Sequence, residues 1–189
     1  MGLLGGSFNP AHEGHRHIAD LARRRLRLDQ VWLLVSPGNP LKSSRDMAKY
    51  RKRFASACAI ADGRRIVAAG LERTWHTRFT FDTLRELRRR FPHVCFVLVI
   101  GADLLEQLPR WRRWRELVDL VPIAVLPRPN YNFRGLAGQA AHALRHARVP
   151  AHAAPSLACR TPPAWTFLSA RQSAASATAI RAARRGVRS

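Results

Sequence analysis

The chain has little cysteine and no long apolar run. Its three cysteines, Cys58, Cys95 and Cys159, are scattered and odd in number, which argues against a disulfide framework or a zinc cage and predicts reduced thiols buried in a cytosolic core. No stretch of about 18 apolar residues is present to span a bilayer. The first residues also lack the basic segment and apolar stretch of a secretory signal. We therefore expect a cytoplasmic protein without a membrane partner.

Acidic residues are scarce as well, since 12 Asp and Glu stand against 33 Lys and Arg and give a formal net charge of +21. Such a balance is typical of nucleic-acid-binding domains. Only Lys42, Lys49 and Lys52 are lysines, however, and the arginines are spread over several predicted helices rather than along one stripe. This distribution favours solvated helix faces, so we predict no specific nucleic-acid partner and only weak, salt-sensitive binding of polyanions. A basic nucleic-acid-binding module stays open as an alternative.

Two common nucleotide-binding motifs are absent: there is no G-x-x-x-x-G-K-[ST] and no G-x-G-x-x-G after a strand. Near the front the chain instead reads Gly-Gly-Ser-Phe-Asn-Pro-Ala-His-Glu-Gly-His over residues 5–15. Two glycines let a turn bring its backbone amides against an anion, and His12 and His15 project from one face of a helix start. Their spacing of three differs from the spacing of four in the zinc motif H-E-x-x-H. The segment therefore predicts a phosphate site that contains imidazoles.

Short apolar runs alternate with longer periodic segments along the 189 residues, a length that matches one domain. The alternation predicts an α/β fold, a Rossmann-like doubly wound parallel sheet with helices on both faces. Ligands of such a sheet collect at the carboxyl ends of its strands. Strands are predicted at 2–4, 31–35, 66–69, 94–100, 121–126 and 165–168, and helices at 15–26, 47–61, 80–90, 102–120 (broken or bent around Pro109) and 175–185.

The region 127–163 differs from the rest of the chain. Six prolines bracket a segment rich in alanine and histidine, for which we predict a helix over 136–146. We interpret this region as a variable appendage on a single domain.

Residues 5–15, with their His-x-Gly-His core, resemble the opening motif of the superfamily of nucleotidyltransferases, which move an adenylyl or cytidylyl group from a nucleoside triphosphate. Further segments narrow the resemblance. Taken in order over nearly the full length, they resemble the bacterial nicotinate-nucleotide adenylyltransferase family. These segments are 36–42, 78–84, 101–103, 109–114 and 176–181.

The resemblance implies that ATP and nicotinate mononucleotide are joined to nicotinate adenine dinucleotide, with release of pyrophosphate, as a step of NAD biosynthesis. Mg²⁺ would bridge oxygens of the triphosphate. A phosphate nucleophile is already ionised near neutral pH, so catalysis needs positioning and positive potential rather than a general base. Nicotinamide mononucleotide or another phosphate acceptor, such as phosphopantetheine or a sugar or polyol phosphate, stays an alternative.

The resemblance also implies a set of site residues. The predicted catalytic residues are His12, His15, Lys42 and Arg181. The predicted ATP-binding residues are Gly5, Gly6, Ser7, Phe8, His12, His15, Gly101, Asp103, Ser176, Thr178 and Arg181. The predicted residues for nicotinate mononucleotide are Asn9, Lys42, Thr80 and Trp111.

Individual roles can be assigned within this set. His15 would stabilise the charge that develops as pyrophosphate leaves, and Asp103 would bind ribose hydroxyls, although Asp103 is also a candidate helix N-cap. Trp111 offers an aromatic face to the pyridine ring, and Thr80 offers a hydroxyl and helix-start amides to its carboxylate. At residues 39–42 the family more often has Pro-Pro-His-Lys, whereas this chain has Asn-Pro-Leu-Lys, without the imidazole.

Overall fold

The structure, a computed structural model, describes residues 1–38 and 47–169. Its strands are β1 (Gly2–Gly6), β2 (Val31–Val35), β3 (Ile66–Ala69), β4 (Val97–Gly101), β5 (Ile123–Leu126) and β6 (Trp165–Phe167). They form one parallel sheet in the order β3-β2-β1-β4-β5-β6. The winding reverses between β1 and β4, which confirms the predicted doubly wound fold and puts the ligand edge at the carboxyl ends of these two strands.

Helices connect the strands. They are α1 (Glu13–Arg25), α2 (Tyr50–Ile60), α3 (Leu71–Thr74), α4 (Thr80–Arg90), α5 (Ala102–Gln107), α6 (Trp114–Val118), α7 (Asn132–Leu136) and α8 (Gln139–Ala143). Short 3₁₀ segments cover Leu108–Arg110, Arg145–Ala147 and Ala151–Cys159. In the described ranges no helix has the length and apolar character needed to cross a bilayer.

The core consists of two layers, one on each face of the sheet. Successive residues of a strand point to opposite faces, so each central strand contributes to both layers. Both faces being covered explains why these strands read as continuous apolar runs. The strand residues Leu4, Leu33, Val97 and Val99 pack with α1 and α2, and Leu3, Leu34, Leu98 and Ile100 pack with α4 and α5.

The ends of several elements differ from the sequence prediction. β4 begins at Val97 rather than at residue 94, because its partner β1 begins at Gly2 and the chain before Val97 has no neighbouring strand to pair with. β5 begins at Ile123, opposite Leu98 of β4, for the same reason. β1 continues to Gly6, which pairs with Val35, so the two glycines of the phosphate motif end a strand.

The predicted helix over 102–120 is interrupted around Pro109, as expected. Pro109 lacks a backbone N–H and lies in the 3₁₀ turn Leu108–Arg110 between α5 and α6. Arg113, which precedes α6, has a left-handed φ of 54° and so marks a second break. The stretch is therefore two short helices with a turn between them.

Residues 127–163 form two short helices and 3₁₀ segments, so the single helix predicted over 136–146 was wrong. The predicted range is divided at Gly138, the N-cap residue of α8, because glycine is a weak helix former. Within α7, a Cβ on Gly135 would lie 2.6 Å from the carbonyl oxygen of Ala102. The glycine lets α7 pack directly on α5, at the cost of a weak helix former. That this region is a variable appendage of a single domain stays a prediction.

The cysteines are free, as predicted, but all three are exposed, so their predicted burial was wrong. Cys58 lies on the outer side of α2, whose buried positions are Arg53, Ala57 and Ile60. Cys95 precedes β4, and Cys159 ends a surface 3₁₀ segment. The last predicted helix, 175–185, lies outside the described residues.

Candidate active site

The carboxyl end of β1 and the turn that follows it form the first wall of the site. Among the described residues, chain neighbours aside, no atom lies within 4 Å of a Cβ built on Gly5, so these residues leave the space at the end of the strand open to a ligand. A Cβ on Gly6 would lie 3.2 Å from the ring of Phe8. Phe8 itself has a left-handed φ of 45° and is only 1% exposed, a strained backbone that its buried ring stabilises. This turn sets the direction in which the chain enters α1.

The two histidines form a reciprocal capping box at the start of α1. His12 is the N-cap, and its Nδ1 accepts a hydrogen bond of 3.1 Å from the backbone N–H of Gly14. The backbone N–H of His12 in turn donates to Nδ1 of His15 at 3.3 Å. The two ring centroids lie 4.0 Å apart, and the ring of Phe8 lies 5.0 Å from that of His15.

This capping box fixes the tautomer of both rings. A backbone N–H is always a donor, so each Nδ1 must offer a lone pair, and each neutral ring carries its proton on Nε2. Burial, followed by the charge of Arg128, lowers the pKa of His12, and Glu13 acts in the opposite direction. Both imidazoles are thus oriented as Nε2–H donors, the groups that phosphate oxygens accept.

The carboxyl end of β4 forms the second wall. Gly101 ends the strand and is the N-cap residue of α5, so the alternative reading of Asp103 as the N-cap was wrong. A Cβ on Gly101 would collide with Oδ1 of Asp103, which means that any side chain there would displace the carboxylate. Arg128, just after β5, places its Nε 3.8 Å from Oδ2 of the same carboxylate.

A central pocket of about 200 Å³ adjoins the first wall and is bordered by Leu98 and Ile100 of β4. The predicted residues Phe8, His12, His15, Gly101 and Asp103 do not line it. It brings the predicted residues Gly5, Gly6, Ser7, Thr80 and Trp111 to one cavity. α4 begins at Thr80, and its N-cap Phe79 makes no side-chain capping bond to the first amides of the helix. The other described residues that line it are Leu34, Ser36, Gly38, Glu72, Phe79, Phe81, Leu98, Ile100, Leu104, Gln107, Arg110, Arg112 and Leu117.

The sequence of the chain is similar to a protein-family model and to several known proteins. A family model described as Cytidylyltransferase-like matches residues 3–183. A Gluconobacter oxydans protein named "Probable nicotinate-nucleotide adenylyltransferase" is 60% identical over 181 residues, which cover 96% of this chain and 93% of that protein. A Gluconacetobacter diazotrophicus protein of the same name is 57% identical over 182 residues, covering 96% and 85%. The chain belongs to the nicotinate-nucleotide adenylyltransferase family.

Two solved structures of Plasmodium falciparum nicotinic acid mononucleotide adenylyltransferase share the fold. The one complexed with NaAD gives a TM-score of 0.71 at 16% identity and covers 96% of this chain and 82% of that chain. The one complexed with APC gives a TM-score of 0.69 at 15% identity and covers 96% and 81%. At such low identity the likeness concerns the fold alone, and it confirms the predicted architecture of the family.

Some predicted site residues lie elsewhere or outside the described ranges. Oδ1 of Asn9 accepts a hydrogen bond from the backbone N–H of Ala48 at 3.1 Å, so Asn9 connects the turn after β1 to the segment before α2. Its predicted contact with nicotinate mononucleotide stays a prediction. The predicted roles of Lys42, Ser176, Thr178 and Arg181 also stay predictions, because these four residues lie outside the described residues.

Sequence reasoning missed Arg53, a buried cation beneath the site. Its side chain is 2% exposed and donates to the carbonyl oxygens of Ser7 (2.6 Å), Ser36 (2.8 Å), Pro37 (2.9 Å) and Ala48 (3.0 Å). These carbonyls belong to the segments that follow β1 and β2 and to the one that precedes α2. A charged residue in register with the buried Ala57 and Ile60 of α2 was the signal that could have revealed it.

Arg128 was missed as well. Its charge contributes to lowering the pKa of His12, and its side chain pairs with Asp103, so it lies near predicted ATP-binding residues that follow two different strands, β1 and β4. As the first cation after the carboxyl end of β5, it could have been found from the rule that ligands gather at that edge of the sheet.

Proposed function

We propose that the protein transfers the adenylyl group of ATP to the phosphate of nicotinate mononucleotide, releasing pyrophosphate and forming nicotinate adenine dinucleotide for NAD biosynthesis. Membership of the family supports this activity. The observation that carries it is the central pocket. Residues 5–7, which precede the capping box of His12 and His15, line this pocket together with Thr80 and Trp111. A polyphosphate and a pyridine ring would therefore lie side by side.

On the ATP side, the site would supply fixed positive potential rather than a base. His12 and His15 would donate from Nε2 to phosphate oxygens, and the charge that builds up on departing pyrophosphate would strengthen these bonds in the transition state. Asp103 would bind ribose hydroxyls, and Arg128 beside it would hold the carboxylate in place. Lys42 and Arg181 would add cationic contacts to the phosphates.

On the acceptor side, Trp111 would stack on the pyridine ring while the hydroxyl of Thr80 and the first amides of α4 bind the carboxylate. Backbone amides at a helix start carry partial positive charge and suit an anion. Mg²⁺ would enter with ATP, because triphosphate oxygens are among its preferred ligands. In the described ranges no group of three or more His, Cys, Asp or Glu side chains could hold a metal ion.

Turnover with different acceptors tests the substrate assignment. Pyrophosphate release from ATP is measured with nicotinate mononucleotide, nicotinamide mononucleotide and phosphopantetheine in parallel. We expect nicotinate mononucleotide to be preferred over its amide by roughly 10- to 100-fold in kcat/KM, since a hydrogen bond to a charged group is worth about 1.5–3 kcal/mol. A preference for either of the other acceptors would overturn the assignment.

Replacing Trp111 with alanine tests the stacking role. We expect KM for nicotinate mononucleotide to rise roughly tenfold while KM for ATP stays unchanged, because stacking of a base on an aromatic side chain contributes about 1–3 kcal/mol. Trp114→Ala is the matched control, since Trp114 packs on the neighbouring core and does not line the central pocket. Equal effects of the two substitutions on KM would contradict the assigned role of Trp111.

A further inference from the structure

Glu72 is a buried acid in the wall of the central pocket. Of the charged side chains in the described ranges, only Arg53 and Glu72 are buried, and Glu72 on α3 is 8% exposed. It lines the same cavity as Thr80 and Trp111. A carboxyl group thus lies in the compartment that is to receive a substrate carboxylate, an arrangement that the proposed mechanism does not use.

No cation compensates Glu72 in the part of the chain that the structure describes. A buried carboxylate normally pairs with Arg or Lys, yet Glu72 has no ion pair there, and its hydrogen-bond partner is the hydroxyl of Thr83 on α4. Thr83 is bonded in turn to Thr77 at 2.9 Å. Burial raises the pKa of Glu72 to about 7, and the bond to Thr83 only partly opposes this.

Other titratable groups lie near Glu72 on α2, on α3 and in the pocket wall. Burial is the main cause that raises the pKa of the Tyr50 phenol on α2, and the charge of Glu72 raises it further. Arg73, the next residue on α3, lies over the Tyr50 ring with its Cζ 4.9 Å from the ring centroid. Among the described residues of the pocket wall, the remaining charged groups are Arg110 and Arg112, and Nη1 of Arg112 lies 3.9 Å from Oδ2 of Asp82.

We propose that Glu72 determines acceptor specificity: the pocket prefers nicotinate mononucleotide over nicotinamide mononucleotide when the carboxyl group of Glu72 is uncharged, and this preference falls when the group is ionised. The proposal rests on the proposed function. Its physical basis is like-charge repulsion, which is strong where water is largely excluded. The nicotinate carboxylate meets this repulsion, whereas the amide does not, and both acceptors carry the same cationic ring and the same phosphate.

The ratio of kcat/KM for the two acceptors tests this between pH 6 and 8.5, at saturating ATP. In the wild type we expect the preference for the nicotinate form to fall roughly tenfold over this range, with most of the change above pH 7. Titration of the substrate phosphate cancels in the ratio, because both acceptors carry it. In Glu72→Gln the ratio should stay at its low-pH value throughout.

Glu86→Gln is the control, because Glu86 is held on the surface by Arg89 and Arg90 and does not line the pocket. It should follow the wild type. A constant ratio in the wild type, or an unchanged pH dependence in Glu72→Gln, would overturn the proposal. If neither acceptor supports pyrophosphate release at any pH, the proposed function itself fails; if turnover occurs and the ratio is constant, only the role of Glu72 fails.

A second measurement needs no variant, so it holds even if Glu72→Gln does not fold. Calorimetric titration of the wild-type protein at pH 7.5, in buffers of different ionisation enthalpy, counts the protons taken up on binding. With an ATP analogue whose α–β bridge is a methylene group already bound, binding of nicotinate mononucleotide should take up about half a proton more than binding of nicotinamide mononucleotide, because a tenfold difference in preference corresponds to a shift of about one unit in the pKa of Glu72. Equal proton uptake for the two acceptors would contradict the proposal.

Discussion

Replacing His15 with alanine is expected to lower kcat by roughly 100- to 1,000-fold, the typical cost of removing one fixed donor to a developing oxyanion. His15 is suited to this role because its Nδ1 is committed to the N–H of His12, which directs its proton to Nε2. The same substitution removes an acceptor from the capping box, so stability should fall by about 1 kcal/mol. Single-turnover kinetics on the folded variant measure the first effect, and chemical denaturation measures the second.

Two further variants separate capping from catalysis. His15→Asn keeps an oxygen acceptor near the position of Nδ1 but places no donor where Nε2 was, so it should recover stability without recovering turnover. His17→Ala, two residues later on the same helix and exposed to solvent, should change neither. Wild-type turnover in His15→Asn, or in His15→Ala, would show that the ring of His15 does not stabilise the transition state.

The sequence predicted those parts of the fold that depend on local patterns. Three elements have the predicted bounds: the strands at 31–35 and 66–69 and the helix at 80–90. Apolar runs and helical periodicity can be recognised from the order of residue types alone. The starts of β4 and β5 were misplaced because a strand end depends on where the neighbouring strand begins, which is a property of the sheet. Propensity alone does not contain this information.

The site residues also differ in whether the sequence revealed them. The histidine motif could be identified because it is continuous in the chain, and the resemblance supplied Thr80 and Trp111. Arg128 and Glu72 were missed, because their significance comes from contacts between different segments of the chain: Arg128 with Asp103, and Glu72 with Thr83. A charged residue on the buried face of a helix or at the carboxyl end of a parallel strand is the sequence signal that such contacts leave.

Replacing Arg53 with methionine is expected to have the largest effect on stability, a loss of about 3–5 kcal/mol in the free energy of unfolding. Methionine fills a similar volume but donates no hydrogen bond, so four partly buried backbone carbonyls lose a charged donor. Each hydrogen bond to a charged group is worth about 1.5–3 kcal/mol, and water that reaches the carbonyls in the variant recovers part of the sum. Arg53 joins three segments, so the turn at Ser7 that leads to the histidines should also move.

A displacement of that turn by about 1 Å would lower kcat roughly 100-fold even in the folded fraction. Chemical denaturation and kcat under native conditions therefore have to be measured together. Arg51→Met, on the exposed side of the same helix, is the matched control and should stay within about 0.5 kcal/mol of the wild type. Arg53→Lys should be nearly as unstable as the methionine variant, because a single ammonium cannot reach carbonyls that the planar guanidinium bonds from three nitrogens. If Arg53→Lys matched the wild type, the positive charge alone would suffice, and the fork-shaped bonding that we assign to Arg53 would be wrong.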